Sequence, residues 1–328
     1  MKGLISITNN PAFNLATEEY LLRQTALDIF FLYTNSPSII VGKHQNTLAE
    51  INFSYTSKHK IPVYRRLSGG GTVFHDDNNL NFCFIQTGIK GQLVNFEQYS
   101  QPILDALKSL GIDASFGKRH DIQIKNKKVS GNASHVYKSR VMHHGTLLFN
   151  SDLSTLSNAL KNNPLIIKGK SVKSVRSEVT NISEYLSTPM KYEEFVSYVF
   201  KHLLNHYQQA DELVLQTNEI DQIKSLVKDK YSGWEWNYGY SPNFEINKRY
   251  KLVDGSRIKS RLKIEKGIIK ESEIKSSDQS LNHILRDLAN QMVGCNHEYN
   301  SIKNILYKEQ FKKITKEDKI QISDGFFS

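Results

Sequence analysis

The chain has 328 residues, 39% hydrophobic and 23% charged, with a formal net charge of +10. That composition suits a globular protein with a sizeable core and excludes a disordered or fibrous one, while no run approaches the roughly 20 apolar residues of a membrane helix. Only Cys83 and Cys295 occur, in no paired motif, which excludes a disulfide framework or a thiolate zinc centre and points to a reducing, cytoplasmic setting.

The opening Gly3-Leu4-Ile5-Ser6-Ile7 is too short for a secretory core. Asn14 to Arg23 reads as a helix, with Leu15, Glu19 and Leu22 near one face and an Asn cap followed by acidic residues. Ile29 to Tyr33 and Ser38 to Val41 read as apolar strands joined through Asn35-Ser36-Pro37, and Phe53 to Lys60 as a short helix.

A strand at Ile61 to Tyr64 then leads into Arg65-Arg66-Leu67-Ser68-Gly69-Gly70-Gly71-Thr72-Val73-Phe74-His75-Asp76, and a second strand follows at Leu80 to Ile85. Three glycines between strands remove every Cβ, so successive backbone N–H groups can cradle an anion. Arg65 and Arg66 alternate across the pleat, so one can face the loop's cavity with a fork suited to phosphate or carboxylate. The alternative is a glycine-rich hairpin with surface arginines. A Walker loop is excluded because no Gly-Lys-Ser/Thr follows, and a dinucleotide-binding turn because no helix opens after the glycines. Cys83, inside the second strand, reads as a buried inert thiol.

Phe96 to Leu110 is an amphipathic helix with Gly111 beyond it. His120 to Ile124 alternates as a strand, Lys125 to Lys128 makes a basic turn, and the small residues Val129 to Ser134 continue it. Lys128, at the mouth of that strand, can reach an anion as a point charge, though a solvated hairpin lysine reads as easily. Val141 to Phe149 is another strand, in which adjacent His143 and His144 must point to opposite faces. No pairing among His75, Asp76, Asp121, His143 and His144 has the spacing of a zinc site.

A helical stretch at Asp152 to Leu160 precedes Ile166 to Ser177, a basic, hydroxyl-rich segment that reads as a loop over an anionic ligand or as a polar surface connection. Tyr192 to Tyr207 is an amphipathic helix, and the aromatic run Trp234 to Pro242 marks the edge of the first domain. From Phe244, two alternating strands, Arg257 to Lys263 and Gly267 to Ile274, precede helices around Leu281 to Met292 and Glu298 to Tyr307. The expected division is therefore 1–243 as the larger domain and 244–328 as a small α+β accessory domain. The basic residues are scattered, without the aromatic interleaving of a nucleic-acid-binding surface.

Arg-Arg-x-Ser-Gly-Gly-Gly-x-Val-x-His-Asp at 65–76, Asn79-Leu80-Asn81, Arg119-x-Asp121-Ile122, Lys128-Val129-Ser130-Gly131, His143-His144-Gly145-Thr146-Leu147-Leu148, Ser174-Val175-Arg176-Ser177, Val179-Thr180-Asn181 and Trp234-Glu235-Trp236-Asn237 together resemble the lipoate–protein ligase A family, within the biotin/lipoate protein ligase superfamily. The resemblance implies an α/β (α+β) fold: a large mixed-sheet catalytic domain followed by the accessory domain. It implies an enzyme using ATP and Mg2+ that activates lipoate as lipoyl-AMP, then transfers the acyl group to a lysine of lipoyl domains. These would be domains of 2-oxoacid dehydrogenase E2 subunits or the glycine cleavage H protein, with no nucleic acid or membrane partner.

Carried over position by position, the resemblance assigns Lys128 to catalysis. Arg66, Ser68, Gly69, Gly70, Gly71, Thr72, Val73, Phe74, Asn79, Lys128, His144, Lys173, Ser174 and Arg176 would bind ATP and the adenylate, Asp121 would contact Mg2+ or the nucleotide, and Lys168 to Asn181 would form the adenylate-binding loop. A lipoyl or octanoyl transferase using a pre-activated or protein-bound acyl group is the alternative within the superfamily. The chain departs from the family pattern at Asn78, at Lys118-Arg119-His120-Asp121, and at Glu178, which stands where arginine is common.

Overall fold

The structure is a computed structural model describing residues 1–88, 93–160, 166–208 and 210–327. Two compact units emerge. The first comprises Met1–Lys43, Pro62–Ser157 and Ser174–Gly233; the second comprises His44–Ile61, Asn158–Lys173 and Trp234–Ser328.

The first unit is built on a six-stranded mixed sheet in the order Asn132–Tyr137, Arg140–Leu148, Asn79–Thr87, Ile29–Thr34, Lys2–Ile5, Asp211–Glu212. Lys2–Ile5 runs parallel to both of its neighbours, and the other pairings are antiparallel. Both faces are covered, which is why Ile29 to Tyr33 is buried throughout instead of alternating. Phe30, Leu32, Phe82 and Phe84 share a core with Ile103 and Leu107 of the helix Phe96–Ser109 and Phe195 and Val199 of the helix Tyr192–His206. The helix Pro11–Gln24 lies against Ile29–Thr34, Asn79–Thr87 and Arg140–Leu148.

That helix begins earlier than its acidic pattern suggests. Pro11 occupies the first turn, and the side chain of Asn10 caps the helix by accepting from the Phe13 amide at 3.1 Å. Asn14, expected as the cap, lies inside the helix and is buried; its Nδ2 donates to the carbonyls of Thr8 and Thr34 and to Asn35 Oδ1. Two small sheets complete the unit: Val63–Arg65, Ser38–Val41, Val73–His75, and Ala114–Phe116, Ile122–Ile124, Lys127–Ser130. The basic turn between the last two strands holds Lys125 and Asn126 at φ 48° and 64°, as a tight hairpin requires.

The second unit carries an antiparallel sheet in the order Ile166–Gly169, Phe244–Lys251, Arg257–Glu265, Ile268–Ser276. Ile258, Ser260, Leu262 and Ile264 are buried while the residues between them are more exposed, the alternation of a sheet covered on one face. The helix Asn282–Met292 packs on Ile268–Ser276. The compact units do not follow the linear division at 243/244. Ile166–Gly169 takes its hydrogen bonds from Phe244–Lys251, the Asn52 amide bonds the Ala159 carbonyl, and Phe53 packs 5.1 Å from Phe327.

Candidate functional site

In the first unit, the connection from Val63–Arg65 to Val73–His75 is shaped by its arginines, and neither is a surface residue. Arg65 is wholly buried, with its guanidinium on the carbonyls of Gly42 and Lys43. Arg66 donates through Nε to Ser68 Oγ at 2.9 Å, through Nη1 to the Ile40 carbonyl at 3.1 Å, and through Nη2 to the carbonyls of Gly69 and Gly71 at 2.6 and 2.7 Å. The fork expected to meet an anion thus holds the glycine loop in shape. Gly70 sits at φ +85°, a conformation that favours glycine, and a Cβ on Gly69 would meet nothing within 4 Å, so that side of the loop is open.

Thr72 donates its amide to Ser174 Oγ at 2.9 Å, and Val73 and Phe74 pair with Ile40 and Ile39. Ser68, from the loop, lies 2.6 Å from Nε2 of His144, whose Nδ1 lies 2.9 and 3.0 Å from the two carboxylate oxygens of Glu18. Tyr33 donates to the same carboxylate at 2.9 Å, and burial followed by the Glu18 charge raises its hydroxyl well above the ordinary tyrosine value. Burial lowers Arg66 to about 10, against the opposing pull of Glu18 and Tyr33. The strand places His143 on the opposite face, where Ser100 and Ser134 each meet one ring nitrogen at 2.9 Å.

Two buried polar atoms here have no hydrogen-bond partner among the described residues: His75 Nε2 and Asn79 Oδ1. His75 Nδ1 accepts from Asn35 Nδ2 at 2.9 Å, which leaves the ring proton on Nε2. Burial, then Arg66 and His144, lower His75 to about 3 and keep it neutral. Asn79 Nδ2 donates to Asn81 Oδ1. Asp76 of the same motif is structural, accepting from the amides of Asn78 and Asp152.

Lys128 is no solvated hairpin lysine. Desolvation lowers its amine below the ordinary value, opposed by Asp121 and reinforced by Arg119 and Arg66. A Cβ on Gly131 would come 3.1 Å from its Nζ, so the small residues that follow do leave the ammonium room. Its backbone is a docking point as well: the Lys128 amide donates to the Glu178 carbonyl at 2.8 Å, and its carbonyl accepts from the Thr180 amide at 3.1 Å. The 174–180 stretch is thereby held at both ends, by the loop through Ser174 and by Lys128 through Glu178 and Thr180.

Glu178 does not simply subtract charge from this stretch, because it pairs with Lys127 Nζ at 2.8 Å. His120, where asparagine is usual in the family pattern, sits at φ 59° and stacks on Phe96 at 5.1 Å. Asp121 is buried and accepts from Gln123 Nε2. Arg176 and Lys173 are exposed, and Lys173 belongs to the second unit. Among the described residues no group of three or more His, Cys, Asp or Glu is arranged to hold a metal. Sequence reasoning missed Glu18 and Tyr33; the one available signal was an acidic pair, Glu18-Glu19, in a helix otherwise buried and largely apolar.

A glycine loop with an open face, a desolvated ammonium and unpaired buried polar atoms suit an acid bound beside phosphate. Comparison with known proteins bears on the same point. A family model described as the lipoyl protein ligase A/B catalytic domain matches residues 10–204, and one described as the bacterial lipoate protein ligase C-terminus matches 241–323. Lipoate–protein ligase 1 of Staphylococcus aureus is 40% identical over 306 residues, covering 92% of this chain and 92% of that protein. Among solved structures, a bi-partite lipoate protein ligase studied with its E2 lipoyl domain, from Thermoplasma acidophilum, superposes with TM-score 0.63 at 25% identity over 73% of this chain and 96% of that one. A lipoate-protein ligase A bound with ATP gives TM-score 0.62 at 25% identity over 73% and 100%.

Proposed function

Since this chain belongs to the lipoyl protein ligase A/B family, we propose that it is an ATP-dependent lipoate–protein ligase. Lipoate's carboxylate attacks the α-phosphorus of ATP, pyrophosphate leaves, and the amine of an acceptor lysine then displaces AMP from the lipoyl-adenylate to form an amide. The acceptors are lipoyl domains, of 2-oxoacid dehydrogenase E2 subunits or of the glycine cleavage H protein, and the reaction is cytoplasmic.

The observation that carries this reading is Lys128: a desolvated ammonium on the strand that also anchors the 174–180 stretch. In the first half-reaction two anions meet and negative charge grows on the α-phosphate. A preorganised cation in a water-poor site lowers that barrier more than it would in water. Lys128 takes the acyl carbonyl and the phosphate, and the amides of the Gly69–Gly71 loop, held by Arg66, take phosphate oxygens. Thr72, Val73 and Phe74 line the nucleotide, with Ser174 and Arg176 of the adenylate-binding loop. Ser68, Asn79 and His144 line the acyl pocket. Mg2+ usually takes one or two protein carboxylates and completes its shell with phosphate and water, so the single Asp121 carboxylate fits that cation, which neutralises phosphate charge when bound.

A cysteine-dependent acyl transferase is disfavoured. Cys83 is buried, and its thiol is pushed well above the ordinary value by burial and then by Glu18, so it is not a thiolate nucleophile. The deciding assay is lipoate-dependent ATP–pyrophosphate exchange by the purified chain, followed by mass measurement of an added lipoyl domain. Absence of exchange while supplied lipoyl-adenylate is still transferred would replace the ligase with a transferase.

A further inference from the structure

We infer that Glu18 is a positioning residue for this reaction: through His144 and Ser68 it sets the direction of the hydrogen bonds that hold Arg66 and, through Arg66, the glycine loop. The inference rests on the ligase reading and adds to it a residue that need not touch substrate.

The direction follows from which atoms can donate. An ionised carboxylate only accepts, so the contacts of 2.9 and 3.0 Å to Glu18 place a proton on His144 Nδ1. With one proton on the ring, Nε2 is an acceptor and takes the Ser68 hydroxyl hydrogen at 2.6 Å. Ser68 Oγ then presents a lone pair to Arg66 Nε–H at 2.9 Å, and the remaining Arg66 donors fall on the carbonyls of Ile40, Gly69 and Gly71. Glu18, His144, Ser68 and Arg66 are each more than nine-tenths buried. In such surroundings hydrogen bonds polarise one another, and a misdirected one is costly. Tyr33 supplies the second donor to Glu18, at 2.9 Å.

The Ser68–His144–Glu18 line has the order of a hydrolase triad. Ser68 is fully buried, however, and its oxygen already accepts from Arg66, so it links two groups and does not attack.

The test combines ATP–pyrophosphate exchange with nitrogen NMR of histidine-labelled full-length protein. In the wild type, His144 is expected as the tautomer protonated on Nδ1. Glu18→Gln places an amide donor beside that nitrogen; the tautomer is expected to switch, and kcat for exchange to fall by about tenfold or more with KM for lipoate changed by less than about threefold. Glu18→Gln combined with Ser68→Ala is expected to cost no more than the worse single variant, since both break one chain.

A wild-type His144 protonated on Nε2 overturns the proposal whether or not any variant folds. So do multiplicative losses in the double variant, a folded Glu18→Gln protein exchanging within twofold of wild type, or an acyl adduct on Ser68 by intact mass. Wild-type protein with the expected tautomer but no exchange overturns the ligase reading and leaves the hydrogen-bond chain standing.

Discussion

Replacing Lys128 by methionine separates chemistry from folding more cleanly than any other single change here. Methionine keeps most of the stem and removes the charge. Two unit charges about 4 Å apart attract by about 4 kcal/mol at an effective dielectric near 20, and loss of one preorganised donor typically costs about 2.7–4 kcal/mol of transition-state stabilisation. Lipoate-dependent exchange by Lys128→Met should therefore fall by about 10²–10³-fold.

Stability should move the other way. Burial lowers the folded-state pKa of Lys128 below its unfolded value, so the protonated amine opposes folding below the folded value. That penalty fades as pH rises from the folded value towards the unfolded one. At pH 7 to 8 the variant should be as stable as wild type or more so, with the difference shrinking in alkaline solution. Denaturant midpoints at several pH values, beside the exchange assay, measure both. Exchange within about threefold of wild type would refute the assigned role, and a paired loss of activity and stability would make Lys128 a structural residue.

Ser174→Ala removes the acceptor for the Thr72 amide, and at about 1 kcal/mol for such a bond the KM for ATP should rise about fivefold in exchange kinetics. Gly145→Ala puts a Cβ 2.2 Å from Asn132 Oδ1 and 2.5 Å from the Phe82 ring; thermal melts should show a loss of about 1–3 kcal/mol, as overpacking usually costs. His75 and His143, lowered to about 3, and His297, lowered to about 4, are neutral when folded. Their unfolded forms bind protons first, so their contribution is complete above about pH 6.5 and is lost as pH falls towards 3 to 4. Denaturation at pH 7 and pH 4.5 should show that slope, and it should be shallower in His143→Gln.

The elements that could be read from the sequence were those whose pattern is local. Arg257–Glu265 alternates, Phe96–Ser109 carries one apolar stripe, and the triglycine run lies between two strands. The Pro11–Gln24 helix start was misjudged because Asn14 looks like a cap when only its neighbours are seen, while its partners at Thr34 and Asn35 come from the next strand. Arg66 was legible as a charge beside a glycine loop and Lys128 as one at the mouth of a strand, but what they touch was not. That Arg66 is consumed by loop carbonyls depends on a bend invisible in the sequence. Glu18 escaped notice because its partners, His144 and Tyr33, lie 126 and 15 positions away.

The pairing of Ile166–Gly169 with Phe244–Lys251 has a consequence for anyone dissecting the protein. A single scission after Asn243 would not release a tidy module. It would leave Ile166–Gly169 with its outward amides bare, strip Phe53 of the aromatic ring of Phe327, and present an open sheet edge in each fragment to other chains. Truncation studies that attribute lost activity to a missing accessory region would in that case be reading aggregation or misfolding of what remains. Co-expressing the two fragments, rather than testing either one singly, is the informative design.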